Sequence, residues 1–334
     1  MKMYEDRAMI KISVIIPYFQ REPGILRRAL ESVVMQRLPA DYEVEVIVVD
    51  DGSPVSAQAE TFSPPFHLNI IPQANAGVAA ARNTGLKAVE RATKYIAFLD
   101  SDDSWSEDHL RQGIAALEAG NDLYFCDNER GGVHASHFAS YTGVIMSFIR
   151  DRSAEIINIT KDDMETMILQ QFPCQISTTI FRRSILGDLL FDTSLKNAGE
   201  DVIFFMKLVA KMQRVCFSPK IMVYCGSGIN LYFSNMDWDS PGYLKRILDN
   251  MKAHSIIQSS VSLSLENRAW NNRYIAENRR KVAFHCLRYC VNNKGKYPPE
   301  LKKLVQEDKQ CIGWFMICAV QVGVGWLFGL YHPT

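Results

Sequence analysis

Four short apolar runs, each leading into polar turn residues, constrain this chain more than any other feature. Lys11–Pro17 reads "KISVIIP", Val44–Val49 reads "VEVIVV", Leu68–Ile71 is a shorter run, and Tyr95–Leu99 reads "YIAFL". Near-continuous apolar runs are expected of strands buried on both faces of a parallel sheet. Between the strands, Gly24–Arg37 places Leu26, Leu30, Val33 and Val34 on one helical face, and the Ala-rich Gln73–Ala92 reads as a second helical stretch. Alternating strands and helices predict a doubly wound α/β fold, Rossmann-like, with a mostly parallel sheet flanked by helices. Ser104–Glu107 reads as a capping box for the next helix, and Asp122–Cys126 as a further strand. Helices are expected over Lys161–Gln171, Glu200–Lys211 and Glu266–Val291, and strands near Ile176–Phe181 and Ile221–Cys225.

Ligands of open parallel sheets bind at the carboxyl ends of the strands. Two of these ends are rich in acid: Asp50-Asp51-Gly52-Ser53, and Asp100-Ser101-Asp102-Asp103, where three carboxylates fall within four residues. One aspartate there would suit a turn, but two such ends in one sheet point to a cationic or polar ligand. Asp100 and Asp102 are alternate residues of an extended segment, so both can reach one hard divalent cation, Mg2+ or Mn2+, bound with substrate phosphates. Asp50 or Asp51 can accept hydrogen bonds from ribose hydroxyls or a base N–H. Asn75 and Gly77 precede a helix, where backbone N–H groups can meet a nucleotide. Arg82, one turn further, can balance the acidic cluster as an ion pair or contact the ligand.

The residues "ISVIIPYFQRE", "VIVVDDGS", "NAGVAAARNTGL" and "YIAFLDSDD" resemble, in order and spacing, the family 2 glycosyltransferases of GT-A fold. The similarity is close from Ile12 to Trp105 and looser to Glu200-Asp201 in "NAGEDVIFFMKL". It implies inverting transfer of one sugar from a nucleotide-diphosphate sugar, a UDP-hexose such as UDP-glucose, to a saccharide or lipid-linked saccharide in cell-surface polysaccharide synthesis. It places Pro17, Tyr18, Glu22, Asp51, Asn75, Gly77 and Ser101 in the nucleotide-sugar pocket, Asp102 on the metal, and Asp100 on the ribose or the metal. Asp201 becomes the general base, a role that contributes about 10²–10⁴-fold; read alone, Glu200-Asp201 is ordinary N-terminal helix charge. Departures are Tyr18-Phe19-Gln20 in place of a Thr-Tyr-Asn-like triplet, and Tyr224, Ser227 and Asn230 where relatives carry a histidine. The Gln-x-x-Arg-Trp signature of processive members is absent. Two other readings stay open: a phosphatase using Asp100 as nucleophile and Asp102 as acid/base, and a non-catalytic sugar-nucleotide-binding protein.

Charge and cysteine usage bound the rest. Lys and Arg balance Asp and Glu at 37 each, yet Pro241–Gln310 holds 14 basic against 6 acidic residues, an excess of +8. That region suits an anionic lipid surface better than nucleic acid, since no stacking motif accompanies the charge. Cys311–Tyr331 has 21 residues without a formal charge and reads as a membrane segment, a buried helix or an oligomer interface. The eight cysteines form no CxxC pair and suit a cytoplasmic protein, and the polar, charged Met1–Lys11 does not read as a signal peptide. The expected organisation is a glycosyltransferase domain over 1–235, with a nucleotide-sugar half at 12–105 and an acceptor half at 106–235. A basic helical extension over 236–334 carries the apolar segment 311–331, on the cytoplasmic face of the membrane.

Overall fold

The computed structural model describes residues 9–129, 135–141, 143–149, 154–226, 241–292, 295–296, 298–299, 301, 306 and 308–327. The chain separates into two compact units, Met1–Lys196 with Glu200–Ile229, and Asn197–Gly199 with Asn230–Thr334. This division falls a few residues before 235/236 and gives the second unit Asn197–Gly199 from within the expected acceptor half.

The first unit is built on one nine-stranded sheet. Its strands are β1 (Ile10–Tyr18), β2 (Tyr42–Asp50), β3 (His67–Pro72), β4 (Tyr95–Phe98), β5 (Ser104–Trp105), β6 (Leu123–Glu129), β7 (Ile157–Thr160), β8 (Ile180–Arg182) and β9 (Arg214–Tyr224). The order is β3-β2-β1-β4-β8-β6-β9-β5, with β7 also on β9. β3, β2, β1 and β4 run parallel, as do β6 and β9, while β8 joins the two sets antiparallel. The apolar runs predict the first four strands because both faces are covered: Val14, Ile15, Ile16, Val46, Ile47, Val48 and Phe98 are fully buried. Register then brings the polar ends together, Tyr18 opposite Asp50 and Asp50 opposite Pro72.

Helices of this unit include α1 (Ile25–Val34), α2 (Ala57–Glu60), α3 (Val78–Ala88), α4 (His109–Glu118), α5 (Val144–Phe148), α6 (Lys161–Gln170) and α7 (Glu200–Val209). Three expectations are corrected. Ser104–Trp105 is not a helix cap but a short strand antiparallel to β9, and α4 begins only at His109. Residues 73–77 form an irregular loop instead of the start of the helix, because Ala76 and Gly77 N–H are tied to Asp51 as described below. Ile176–Thr178 is a 3-10 turn, leaving only Ile180–Arg182 as strand. Thr160 does make a capping box with Asp163 at the start of α6, closing two orphan donors.

The second unit holds α8 (Pro241–Ser260), α9 (Leu265–Asn292) and α10 (Cys311–Leu327). Its apolar cluster includes Leu244, Ile247, Met251, Ile275, Val282, Cys286 and Cys311. No described helix is long and apolar enough to cross a membrane. None of the eight cysteines forms a disulfide.

Candidate active site

β1 and β4 deliver the centre of the site. Leu99 N–H donates to Ile15 O at 3.0 Å, so the odd residues of β1 face β4. Pro17 therefore lacks its N–H on a side where β4 has already ended, which is how a proline fits a central strand. Pro17 and Tyr18 are buried, Glu22 is exposed in the turn before α1. Tyr18 Oη is buried without a hydrogen-bond partner, and burial pushes its pKa up to about 12. Of the neighbouring departures from the family triplet, Phe19 is half-buried, and Gln20 is buried and donates through Nε2 to Ser101 Oγ at 3.1 Å.

The two strand-end aspartates of β2 do different work. Asp50 accepts Ser53 N–H on one oxygen and Ala57 N–H on the other, each at 2.8 Å, and so folds the loop into α2. Asp51 reaches across to the β3–α3 loop. Its Oδ1 accepts Gln73 Nε2 at 2.6 Å and Ala76 N–H at 2.9 Å, and its Oδ2 accepts Gly77 N–H at 2.9 Å. Gly77 has φ +93°, a conformation that favours glycine, and Asn75 beside it is exposed. The nucleotide-side candidates Asp51, Asn75 and Gly77 thus share one hydrogen-bonded loop pair.

The acidic run after β4 divides in the same way. Asp103 is buried; its Oδ2 accepts Ser177 Oγ at 2.6 Å and Gln175 Nε2 at 2.9 Å, and its Oδ1 accepts Gly226 N–H at 3.1 Å. Ser177 Oγ also accepts Asp100 N–H at 2.9 Å, so one hydroxyl braces both ends of the run. Burial, then the neighbouring Asp100 and Asp102 charges, raise the Asp103 pKa to about 7. Asp100 and Asp102 remain partly exposed. The Asp102 carbonyl accepts Arg28 Nη2.

Arg82 lies in α3 with its side chain 6% exposed, over the Phe191 ring. Nη2 donates to Asp100 Oδ1 at 2.9 Å and Nη1 to Glu200 Oε1 at 3.2 Å. The ion-pair alternative for Arg82 is therefore the one the geometry shows. Glu200 and Asp201 open α7, where the helix dipole favours acids. Asp201 Oδ1 accepts its own helix's Val202 N–H at 2.8 Å. Burial, then the Glu200 charge, raise its pKa to about 7, with Arg82 opposing. Neither Glu200 nor the bracing pair Gln175–Ser177 carries a sequence signal that names its partner: Gln175 and Ser177 meet Asp103 across 72 and 74 residues, and Glu200 meets Arg82 across 118.

Among the described residues no cluster of three or more His, Cys, Asp or Glu forms a metal cage. Two partly exposed carboxylates with one of Asp100's oxygens occupied by Arg82 fit Mg2+ or Mn2+ that takes its remaining ligands from substrate phosphate and water. Tyr224 ends β9, 42% exposed; Ser227 and Asn230 lie outside the described residues.

The profile of Glycosyl transferase family 2 matches residues 13–190. Succinoglycan biosynthesis protein ExoW of Rhizobium meliloti (strain 1021) is 34% identical over 250 residues, 71% of this chain and 75% of that protein. Minor teichoic acid biosynthesis protein GgaA of Bacillus subtilis (strain 168) is 34% identical over 212 residues, 60% of this chain but 44% of its own length. The chain thus spans less than half of GgaA. Among solved structures, S. aureus TarS 1–349 in complex with UDP-GlcNAc superposes with a TM-score of 0.55 at 19% identity, covering 86% of this chain and 88% of that one. The mannosyltransferase PcManGT from Pyrobaculum calidifontis, in complex with GDP-Man and Mn2+, gives 0.56 at 16% identity, covering 98% and 88%. These likenesses show the GT-A fold. The chain belongs to glycosyl transferase family 2, and the phosphatase reading of Asp100 is set aside.

Proposed function

We propose that this chain transfers a single hexose, with inversion, from a UDP-sugar to a hydroxyl of a saccharide or lipid-linked saccharide acceptor in cell-surface polysaccharide synthesis. The observation that carries it is the Arg82 bridge, which fixes Asp100 on the donor side and Glu200 beside Asp201. One buried cation thereby sets the spacing between the acid run that faces a diphosphate and the carboxylate that can take a proton. The UDP-GlcNAc complex of TarS and the names of ExoW and GgaA support the donor class and the pathway class.

In this reading Asp51 and the Gln73–Gly77 loop receive the nucleoside. Asp100 and Asp102 hold Mg2+ or Mn2+, which when bound neutralises the diphosphate leaving group. Asp201 accepts the proton of the acceptor hydroxyl as its oxygen bonds to the anomeric carbon on the face opposite the departing diphosphate. A carboxylate raised to about 7 is matched to that task near neutral pH. Arg82 positions both carboxylate groups and touches neither reacting atom.

The test is release of UDP from a panel of UDP-sugars with Mn2+ and candidate acceptors, alongside Asp201→Asn. Acceptor-dependent UDP release that Asp201→Asn abolishes, with donor binding retained, supports the reading. Full activity of that variant, or binding only to nucleotides other than UDP, overturns it.

A further inference from the structure

Helix α10 carries a surface that glycosyl transfer leaves unexplained. Its 17 residues, Cys311–Leu327, contain no charged side chain. Cys311 and Cys318 are buried and Phe315 packs on the cluster that contains Val282 and Cys286 of α9. On the other side Ile312, Met316, Ile317 and Val320 stand 47%, 71%, 48% and 66% exposed. With Gly313 and Ala319, also exposed, they occupy an arc of roughly 160° at about 100° per residue. Isolated exposed apolar side chains need no explanation, but a continuous arc along a helix marks a contact surface.

We propose that this face of α10 lies in the interface of an anionic phospholipid bilayer and holds the chain on the membrane surface. Charge complementarity selects this occupant. The segment 241–310 carries an excess of +8, and an anionic leaflet attracts each exposed cation. Arg280 and Lys281, both exposed, sit where the Arg280 carbonyl accepts the Cys318 thiol at 3.7 Å, and exposed Lys309 flanks the start of α10. A second copy of the chain brings the same positive excess, so like charges oppose a homomeric contact. Because Cys311 and Cys318 stay buried while the opposite arc is exposed, the contact is in-plane, the arrangement of an interfacial helix with cations beside an apolar face.

The experiment is flotation of the full chain with phosphatidylcholine vesicles, with and without phosphatidylglycerol, at low and high salt. The wild type is expected on the anionic vesicles and released from them by salt. Met316→Glu with Val320→Glu, at exposed positions that leave the fold intact by circular dichroism, is expected to reduce partitioning at least about tenfold. Arg280→Ala with Lys281→Ala is expected to cost about 25-fold at low salt, at about fivefold per cation. Unchanged partitioning of the Glu variant, or absence of the wild type from both vesicles, overturns the proposal. So does a wild-type dimer in sedimentation that the Glu variant splits, which assigns the face to a second copy. Flotation needs no sugar donor, so it is read independently of the UDP-release assay.

Discussion

Arg82 Nη2 meets Asp100 Oδ1 at 2.9 Å inside the first unit, and the same guanidinium reaches Glu200 Oε1 at 3.2 Å, 118 residues further on. Its Nε is buried without a partner. The arginine therefore satisfies two carboxylates at the expense of its own third donor direction, an arrangement that positions groups more than it stabilises the fold.

Arg82→Met is expected to lower stability by about 3 kcal/mol, because it strands two poorly exposed carboxylates. Arg82→Lys keeps the charge but not the fork, so it should recover much of the stability and little of the activity. Urea unfolding and donor turnover of the two variants separate these effects. Equal recovery of both by lysine would reduce Arg82 to a point charge.

The raised pKa of Asp201 gives activity a sign with pH. The base must be a carboxylate, and with a pKa of about 7 about a tenth is ionised at pH 6 and about nine-tenths at pH 8. The value of kcat/KM should rise about tenfold per unit below pH 7 and level off above 8. Glu200→Gln removes a charge that holds the Asp201 pKa up, so the acid limb should move to lower pH. A limb that stays in place in this variant would assign the titration to another group.

Stability should run the other way. The folded chain keeps a proton on Asp201 up to about 7, whereas an unfolded aspartate releases it near its ordinary value of 3.8. The native state thus binds more protons between these values, and the Asp201 contribution to stability falls as pH rises through that window. Thermal melts from pH 4 to 8 should show a shallower pH slope in Asp201→Asn than in the wild type.

The sheet that carries these residues was legible because its runs are apolar on both faces, and burial of Val14–Ile16 and Val46–Val49 is what such runs require. The polar strand ends were legible too, but not their division of labour. Asp50 and Asp51 are adjacent and chemically identical, yet one turns back on its own loop and the other reaches across to Gln73 and Gly77. Asp103 lies in the same run as Asp100 and Asp102, yet it braces Gln175, Ser177 and Gly226. Those partners come from distant segments, and pairing across 72 to 123 residues leaves no local periodicity to read. The capping-box pattern at Ser104–Glu107 failed for the same reason: pairing with Tyr224 and Val223 of β9 overrode a local preference.

Asp51→Ala is expected to cost about 3 kcal/mol, since three hydrogen bonds to a carboxylate are lost together. It should also weaken UDP binding, because the Gln73–Gly77 loop loses its tether. Asp51→Asn sharpens the test. Its amide oxygen can still accept Gln73 and Ala76, but its NH2 faces the Gly77 N–H, donor against donor. Intermediate stability with a large loss of UDP affinity by calorimetry is the expected result. Unaltered UDP affinity in both variants would confine Asp51 to a folding role.

Gly226 closes the far side of the acidic run, and its tolerance for change is set by backbone. A Cβ there would overlap the Asp102 carbonyl oxygen and Arg28 Nη2, while Gly226 N–H holds Asp103 Oδ1 at 3.1 Å. Gly226→Ala must therefore push the Asp102–Asp103 turn away from β9 or break the Asp103 contact. The first outcome displaces Asp102 while leaving every side chain chemically intact. Misplacement of this kind costs about 10²-fold in turnover, so Gly226→Ala should lose activity and Mn2+-enhanced donor binding together. Gly226→Ala with wild-type Mn2+ dependence would show that Asp102 can shift without consequence and would remove it from the donor site.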